Sequence, residues 1–332
     1  MSHLGGVFKV KLRSVWRCGV LFLLVPVLMM AWGPIGHMTV AAVAYEKLTL
    51  AVKARVAVLL KLNPDYASWD KQVRPGATPE EHDRDIFIMA AVWADDIKGE
   101  SQYSDDGTAG GNVPGGPNSA LNVGYSDLLR HKYWHFVDMP FTQDGTALAD
   151  VPTPNAQTQI DAFRAVIRSD AADELKSYDL VWLEHLIGDV HQPLHATARF
   201  TAKDLQGDAG GNNVHLQGDA DTNLHAYWDD LPGVDCQYCN KKTNCVFRAV
   251  VLGGSLKPAA LKAAANTTTA DWIQESFGQA KAVAYQAPIG PGDGPFTIVP
   301  VSEYDVRAEK LARLKVALAG ARLAKVLNDE LK

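Results

Sequence analysis

Two histidine–aspartate pairs, each with a spacing of four residues, are the clearest indication of chemistry in this sequence. His185 and Asp189 lie in HLIGDVHQPLH, and His225 and Asp229 lie in NLHAYWDD. Because residues four apart project from one face of a helix, each pair can hold one divalent cation. An imidazole beside a carboxylate suits zinc, and Gly188 leaves room for a metal or a backbone to approach Asp189. A single pair is more often a helix-surface pair, but two copies favour a metal centre.

Three further positions extend this candidate set. Pro193 breaks the helix of the first pair, so His195 falls just beyond the break. Asp95, in AVWADDIK, is expected near the C-terminal end of a helix, where a bound cation would offset its unfavourable position beside the negative end of the helix dipole. His135 lies among the aromatic residues of KYWHFVD. Such a histidine is more often a hydrogen-bonded core residue, but the other metal-type groups still need partners.

The elements that must position these residues are predicted to be helices. Apolar residues recur at three- and four-residue spacing in six segments, with helix-breaking residues between them. The predicted helices are 38–62, 79–98, 155–174, 178–192, 257–283 and 303–330. Gly-rich loops separate them at 99–120, 203–222 and 287–297. Since strand alternation and internal repeats are missing from the sequence, it predicts a mostly α fold, a single helical domain over 32–332 with long functional loops.

The N-terminal segment is predicted to be a secretory signal peptide, residues 1–31. Four basic residues precede an apolar run over 19–31 that Pro26 interrupts and that is too short to span a bilayer comfortably. A retained membrane anchor is the alternative. Cleavage after Ala31 would release a secreted or periplasmic protein and take the net charge from −6 to −10, because the segment holds four basic residues and no acid. An acidic surface repels polyanions unless bound cations supply positive potential.

Three cysteines within ten residues, Cys236, Cys239 and Cys245, leave two possibilities. One local disulfide is favoured over a zinc knuckle, which would lack a nearby fourth ligand. Asn266 begins an Asn-Thr-Thr glycosylation site, which matters only in a eukaryotic secretory route.

Six motifs, in this order along the chain, carry a resemblance to a known family. They are WGPIGH (32–37), WAD (93–95), YWHFVD (133–138), HLIGDVHQPLH (185–195), GGNN (210–213) and NLHAYWD (223–229). In content and order they resemble the zinc-dependent single-strand nucleases and 3′-nucleotidases of the S-one/P-one type, which are related to bacterial zinc phospholipase C. The HLIGDVHQPLH stretch is highly specific, whereas WAD alone would be weak.

The resemblance implies a mostly α fold that holds three zinc ions. The ligands of one family site match Asp95, His135, His185 and Asp189 of this sequence. Those of a neighbouring site match Trp32, His37 and the same Asp189, so the resemblance implies that Asp189 bridges two ions. The remaining site resembles His195, His225 and Asp229. In this family the first residue ligates through its free α-amino group and its carbonyl oxygen, so signal cleavage before Trp32 would complete the centre.

The implied activity is hydrolysis of single-stranded DNA and RNA to 5′-nucleotides and removal of the 3′-phosphate from nucleotides, by a zinc-bridging hydroxide. By the same resemblance Asp95 orients the nucleophile and Lys98 faces the scissile phosphate, although Lys98 can equally be a helix-terminal lysine. Phe136 would stack on a base and Asp138 would hydrogen-bond its edge, which explains a preference for single strands. Phe136 can also be a core residue, and Asn212 is expected near the cleft.

Two other functions remain open from the sequence. A zinc phospholipase C would use the same cage on a lipid phosphodiester, because one scaffold can host either chemistry. A periplasmic zinc-binding protein without turnover is the second alternative. The sequence suggests no stable protein partner, and membrane contact only through an uncleaved signal. Among the remaining histidines, a packing role is expected for His191 and no metal role for His82, His131 or His215.

Overall fold

Helices form most of the chain that the computed structural model describes, which comprises residues 32–107, 113–114, 117–218, 221–233 and 242–331. In chain order the α-helices of this part are α1 (Pro34–Tyr45), α2 (Leu50–Leu60), α3 (Tyr66–Asp70), α4 (Pro79–Ala90), α5 (Trp93–Gly99), α6 (Ala156–Arg168), α7 (Asp173–Asp189), α8 (Leu224–Asp230), α9 (Lys242–Ser255), α10 (Leu261–Ala264), α11 (Thr269–Gln279) and α12 (Glu303–Glu330). The prediction of a mostly α fold is confirmed. The predicted signal peptide lies outside the described residues.

Shorter elements connect these helices. Single turns of 3-10 helix occur at Pro117–Ala120, Gly124–Ser126, Lys132–Trp134 and Pro193–Ala196, and a π-helical turn, Ala280–Ala284, follows α11. The two strands among the described residues, β1 (Pro140–Thr142) and β2 (Ala198–Phe200), pair in parallel with Phe141 opposite Arg199. Each strand has three residues, which is too short to give a period-two signal in the sequence.

Three predicted helices are wrong because each is divided, and two of them lie in the N-terminal half. The predicted helix over 38–62 is α1 and α2, and the side chain of Thr49 caps α2 by accepting a hydrogen bond from the Val52 N–H at 3.3 Å. The predicted helix over 79–98 is α4 and α5, with a break at residues 91 and 92. Asp95 therefore lies in the first turn of α5, at the positive end of a helix dipole, and the dipole argument that singled it out is wrong.

The C-terminal half divides in the same way. The predicted helix over 257–283 consists of α10, α11 and the π-helical turn, whereas α12 has the predicted bounds. The Asn266 carbonyl that separates α10 from α11 accepts a hydrogen bond from the Trp272 indole at 2.8 Å, so a tertiary contact fixes this break. The sequence analysis predicted neither α3 nor α9.

Helix α7 lies at the centre of the fold. Every residue from Lys176 to Asp189 is buried, and the helix packs against α1, α2, α5, α6 and α12. A helix that is buried on all sides belongs to the interior of a protein. Since His185 and Asp189 lie in its last turn, a helix enclosed by five others carries two of the predicted metal ligands.

Two other observations concern the chain as a whole. Among the described helices, none has both the length and the apolar character needed to cross a bilayer. Cys245 is disulfide-bonded, while Cys236 and Cys239 lie outside the described residues, so the pairing of the three cysteines stays a prediction.

Candidate metal centre

Five predicted ligands from four separate chain segments converge in the interior, and we call them the five-residue cluster. Its members are His37, Asp95, His135, His185 and Asp189, all buried. The Nδ1 atom of His135 lies 3.0 Å from Asp189 Oδ2 and 3.1 Å from His185 Nε2. His37 Nε2 lies 3.2 Å from Asp189 Oδ1, and His185 Nε2 lies 3.5 Å from Asp95 Oδ1. The two carboxylate oxygens of Asp189 thus face different histidines, which suits a ligand that bridges two ions.

The break between α4 and α5 helps to orient this cluster. The Nδ1–H of His185 donates to the carbonyl oxygen of Ala91, the residue that follows α4, at 2.8 Å. This bond directs Nε2 of His185 toward the cluster. Metal-binding histidines generally use their second nitrogen in this way, because the bond fixes the ring orientation. The same break starts α5 two residues before Asp95.

Gly188 brings α1 and α7 together at the cluster. A Cβ atom on this residue would lie 2.8 Å from Nδ1 of His37, a distance at which the ring would have to move. The ring of His37 stacks on that of His185, with centroids 3.8 Å apart. The sequence analysis expected Gly188 to allow the close approach of a metal or a backbone, whereas the structure has a histidine ring in that space.

The remaining three predicted ligands, His195, His225 and Asp229, form a second group that we call the three-residue cluster. Their side chains are buried, and the Nε2 atoms of His195 and His225 lie 3.0 Å apart. The carboxylate oxygens of Asp229 lie 3.5 Å from His225 Nε2 and 4.0 Å from His195 Nε2. Potential ligand atoms of all three residues lie within 4.8 Å of one another, a spacing compatible with one shared ion.

Backbone carbonyls orient both rings of the three-residue cluster. The Nδ1–H of His195 donates to the His135 carbonyl at 2.9 Å, and that of His225 donates to the Gly210 carbonyl at 2.8 Å. Because each ring donates through Nδ1, the facing Nε2 atoms both carry lone pairs when the rings are neutral. Such an arrangement is unfavourable unless a cation or a proton lies between the lone pairs.

Burial keeps most of these histidines in the form that binds metals. It lowers the pKa of His37 to about 4 and that of His135 to about 3, and it lowers the pKa of His195 as well. His185 differs: although burial opposes protonation, the charges of Asp189 and Asp95 raise its pKa. In the metal-free chain these two buried carboxylates therefore favour the protonated form of His185.

Several polar atoms of the five-residue cluster lack hydrogen bonds within the described part of the chain. They are Nδ1 of His37, Oδ2 of Asp95 and Nε2 of His135, and Nε2 of His37 and Oδ1 of Asp189 have only each other within reach, 3.2 Å apart. A buried polar atom without a partner is costly, and such atoms converging from four chain segments are the donor set of a divalent cation. The arrangement can therefore hold metal ions.

Trp32 connects to both clusters through its neighbours in the chain. It is fully buried and comes just before α1, which carries His37. The N–H of Gly33 donates to the carbonyl of Asp229 at 2.9 Å, which ties this segment to the three-residue cluster. Gly36 is needed here, because a Cβ atom on it would lie 2.6 Å from the Cβ atom of Trp32.

The predicted substrate residues line one cleft beside both clusters. Its wall includes Lys98, Phe136, Asp138 and Asn212, together with the predicted ligands His135, His195 and His225. Phe136 is partly exposed at this wall rather than enclosed in the core. Burial, together with the charge of Asp208, raises the pKa of Asp138 to about 7. The Asn212 side chain donates to the Ala209 carbonyl at 2.8 Å, so it also shapes its loop.

Lys98 is a buried residue of this site rather than an exposed helix-terminal lysine. Its ammonium group lies 2.6 Å from Asp95 Oδ1, and the residue is 5% exposed. Although burial opposes ionisation, Lys98 holds the pKa of Asp95 well below its usual range. The pair thus joins a residue of the five-residue cluster to the wall of the cleft.

Two site residues were missed by the sequence analysis. Gln192 is buried and its side-chain amide donates to Asp229 Oδ1 at 2.8 Å, which orients a predicted ligand. Its position between His191 and Pro193 in the specific motif was the available signal. Lys132 lines the cleft and pairs with Asp105 at 2.8 Å. No pattern in the sequence distinguishes it from other lysines.

The four remaining histidines lie away from both clusters. His191 accepts a hydrogen bond from Arg322 of α12 at 2.9 Å, which fits the expected packing role. His131 is buried between the carboxylates of Asp106 and Asp127. His82 contacts Asp70 and Asp83 at the surface, and His215 is exposed.

Comparison with known proteins follows this geometry. Residues 32–332 match the model of the S1/P1 nuclease family. The chain is 25% identical to endonuclease 3 of Arabidopsis thaliana over 209 residues, which make up 61% of this chain and 54% of that protein. It is 37% identical to endonuclease 4 of the same plant over 68 residues, 19% of this chain and 20% of that protein. The matched region spans about half the length of the first relative and a fifth of the second.

Proposed function

Because this chain belongs to the S1/P1 nuclease family, we propose that it is a zinc-dependent phosphodiesterase that hydrolyses single-stranded DNA and RNA to 5′-nucleotides and removes the 3′-phosphate from nucleotides. The observation that carries the proposal is the pair of buried histidine–aspartate clusters that border one cleft. Both named relatives are endonucleases, which supports nucleic acid as the substrate class.

Three zinc ions fit the residues present. Asp95, His135, His185 and Asp189 would hold one ion, and His195, His225 and Asp229 another. Trp32, His37 and the second oxygen of Asp189 would hold the third, with the terminal amine and carbonyl of Trp32 as ligands. The buried contact of 3.2 Å between His37 Nε2 and Asp189 Oδ1 supports this allocation, because both atoms could bind the same ion. When bound, zinc supplies Lewis acidity toward phosphate oxygens and lowers the pKa of a bound water to near neutrality.

The chain's own residues would orient the substrate. Lys98 is held at the cleft wall by Asp95 and would place its ammonium group against the scissile phosphate. Asp95, fixed from the other side by this ion pair, would accept a hydrogen bond from the attacking water and align it. Three zinc ions bring six positive charges against the three carboxylates of the ligand set, so the cleft attracts a polyanion although the chain is acidic.

Phe136 and Asp138 would bind the base. An aromatic ring at the cleft wall stacks on any unpaired base, and this interaction requires an unstacked strand. A neighbouring carboxyl group then hydrogen-bonds the base edge. This pair favours a nucleotide over the lipid phosphodiester of a phospholipase C. Asn212 would contact the nucleotide from the opposite loop.

The proposed function includes export. Residues 1–31 would act as a signal peptide, and cleavage after Ala31 would create the terminal amine of Trp32. The chain would then work in the periplasm or outside the cell, as a domain over residues 32–332. Sequencing the N-terminus of the exported protein tests this directly, and Trp32 is the expected first residue.

Hydrolysis of three substrates by zinc-loaded protein tests the activity. Single-stranded DNA and 3′-AMP should be hydrolysed, and a chelator should abolish both reactions. Cleavage of phosphatidylcholine micelles instead would identify a phospholipase C. Stoichiometric zinc binding without hydrolysis of any of the three would identify a zinc-binding protein.

A ligand variant and a matched control make the test specific. Changing a residue that orients a metal ligand lowers activity by about 10- to 100-fold. His225→Ala removes a proposed ligand itself, so it should lower the rate of DNA hydrolysis by more than that. His215→Ala, which removes an exposed histidine outside the clusters, should leave the rate unchanged. Equal rates for the two variants would contradict the proposal.

A further inference from the structure

Asp208 is a buried carboxylate that the proposed function does not use. It lies in the Gly-rich loop before α8, and only 3% of its surface is exposed. Its Oδ1 atom accepts hydrogen bonds from the backbone N–H groups of Arg199 at 2.9 Å and Gly211 at 3.2 Å. The hydroxyl of Tyr285 donates to Oδ2 at 2.9 Å. Asp208 therefore joins its own loop to β2 and to the end of the π-helical turn.

These bonds organise a turn of unusual backbone conformation. Ala209, Gly210 and Gly211 have successive φ angles of 50°, 62° and 86°. Only glycine adopts such angles readily, so Ala209 carries strain that the surrounding structure must offset. Asp208 fixes both ends of this run. Its carboxylate accepts a hydrogen bond from the Gly211 N–H, and its backbone N–H donates to the Arg199 carbonyl at 3.0 Å.

The turn in question touches the three-residue cluster. The carbonyl of Gly210 accepts the Nδ1–H of His225 at 2.8 Å. A Cβ atom on Gly210 would lie 2.4 Å from the carbonyl oxygen of Leu194, which precedes the ligand His195. The turn is thus wedged between the segments that carry two ligands, and a small shift of it would rotate the ring of His225.

We propose that Asp208 is a positioning residue for metal binding, because its carboxylate shapes the turn whose Gly210 carbonyl orients His225. Asp208 does not itself contact the cluster: its action passes through the Gly211 N–H and the Gly210 carbonyl to the imidazole. The inference rests on the proposed zinc site. It predicts that Asp208 affects the zinc affinity of the three-residue cluster and not that of the other two sites.

Zinc binding by Asp208→Ala, titrated against a chelating dye, tests this inference without any measurement of activity. One of the zinc equivalents bound by the unmodified protein should bind about 10- to 100-fold more weakly, as for other residues that orient metal ligands. The others should keep their affinities, because the five-residue cluster makes no contact with this turn among its described hydrogen bonds. In a His225→Ala background, Asp208→Ala should cause no further loss.

Two companion variants control for folding. Asp208→Asn keeps an oxygen that can accept a hydrogen bond from the Gly211 N–H, so its zinc affinity should lie between those of Asp208→Ala and the unmodified protein. If Asp208→Ala does not fold, Asp208→Asn provides the test. Asp204→Asn removes a carboxylate of the same loop that bonds only the exposed Asn213 side chain among its described side-chain partners, and it should bind zinc normally.

Unchanged zinc affinities in the Asp208 variants would overturn the inference, and so would equal weakening of all equivalents, since that marks a general loss of structure. The comparison uses zinc binding relative to the unmodified protein. Failure of the proposed function would show separately, as a zinc-loaded protein that does not hydrolyse DNA.

Discussion

At the scale of single residues, residue type and spacing predicted two histidine–aspartate pairs, and the structure places each pair in a buried cluster that could hold a metal. The i, i+4 pairs of α7 and α8 fix the geometry of His185 with Asp189 and of His225 with Asp229, because a helix dictates it. His37 could not be found in this way. Its approach to His185 depends on the packing of α1 against α7, and only the resemblance of WGPIGH to a known family indicated it.

Asp138 leads to a prediction about base preference. Its pKa of about 7 in the metal-free protein, raised by burial and by Asp208, means that the carboxyl is neutral at lower pH and ionised at higher pH. A neutral carboxyl donates one hydrogen bond and accepts another, which matches adenine N1 and N6, whereas a carboxylate only accepts, which matches guanine N1 and N2. The ratio of 3′-AMP to 3′-GMP hydrolysis should therefore fall as pH rises, with a midpoint below 7 once cations are bound.

The variant Asp138→Asn is the control for that prediction, because an amide keeps one donor and one acceptor at every pH. Its ratio of adenine to guanine substrate should not vary with pH. A ratio that changes with pH to the same extent in both proteins would show that another group is responsible.

Glu184 leads to a prediction about stability. It is fully buried next to His185, and neither carboxyl oxygen has a hydrogen-bond partner among the described residues. Burial raises its pKa well above the usual range, so the folded protein loses stability as pH rises from the unfolded-state pKa toward the folded-state pKa. Replacing it by Leu should raise the free energy of unfolding by about 1–3 kcal/mol, and more at pH 8 than at pH 4.

Denaturant unfolding at both pH values measures this effect. The variant Glu184→Gln retains an unpartnered polar group, so it should gain much less than the Leu variant. A Leu variant that is no more stable than the unmodified protein would mean that Glu184 has a partner, such as a buried water.

At the scale of the elements, the sequence predicted the number and position of the long helices better than their breaks. Helix α12 has the predicted bounds, and α7 ends within a few residues of the expected position. The break between α4 and α5 contains no glycine or proline, so no residue type marks it in the sequence. Its role is seen only in the tertiary structure, where the Ala91 carbonyl bonds to His185. Asp95 does lie in the five-residue cluster, but the helix-dipole reason for which the sequence analysis selected it is wrong.

The contact between α1 and α7 at Gly188 gives a prediction at this scale. Gly188→Ala should displace the His37 ring, because the added Cβ atom would lie 2.8 Å from Nδ1. We expect a loss of zinc from the site that includes His37 and a large fall in the rate of DNA hydrolysis. Zinc content and the hydrolysis rate, measured on the same preparation, check the result.

Gly278→Ala is the matched control for the Gly188 variant. Gly278 is also a helical glycine, in α11, but its added Cβ atom would meet nothing within 4 Å. This substitution should stabilise the protein by about 0.5–1 kcal/mol and leave zinc content unchanged. Full zinc content in Gly188→Ala would contradict the proposed position of His37 in the centre.

At the scale of the whole molecule, the ligand set joins the N-terminal segment, α1, α5, α7 and α8 around one cleft. The family match extends over residues 32–332, beyond the last motif, which ends at Asp229. Helices α9 and α12 pack on α1 and hold His37 in place. Composition alone predicted an acidic protein unsuited to nucleic acid, and only the metal ligands reverse that expectation.

The N-terminal residue gives a prediction at the same scale. A protein that begins with one additional residue before Trp32 should lose one zinc equivalent and most of its activity, because a peptide nitrogen cannot replace the terminal amine as a ligand. A protein that begins at Trp32 itself is the control. Equal zinc content in the two preparations would contradict the proposed role of the amine.

The most direct test of the central claim is a zinc titration of metal-free protein that begins at Trp32, with the rate of single-stranded DNA hydrolysis recorded at each step. We predict no hydrolysis without zinc and a rate that reaches its maximum at three equivalents per chain. Hydrolysis by the metal-free protein, or a zinc-saturated protein without turnover, would contradict the account.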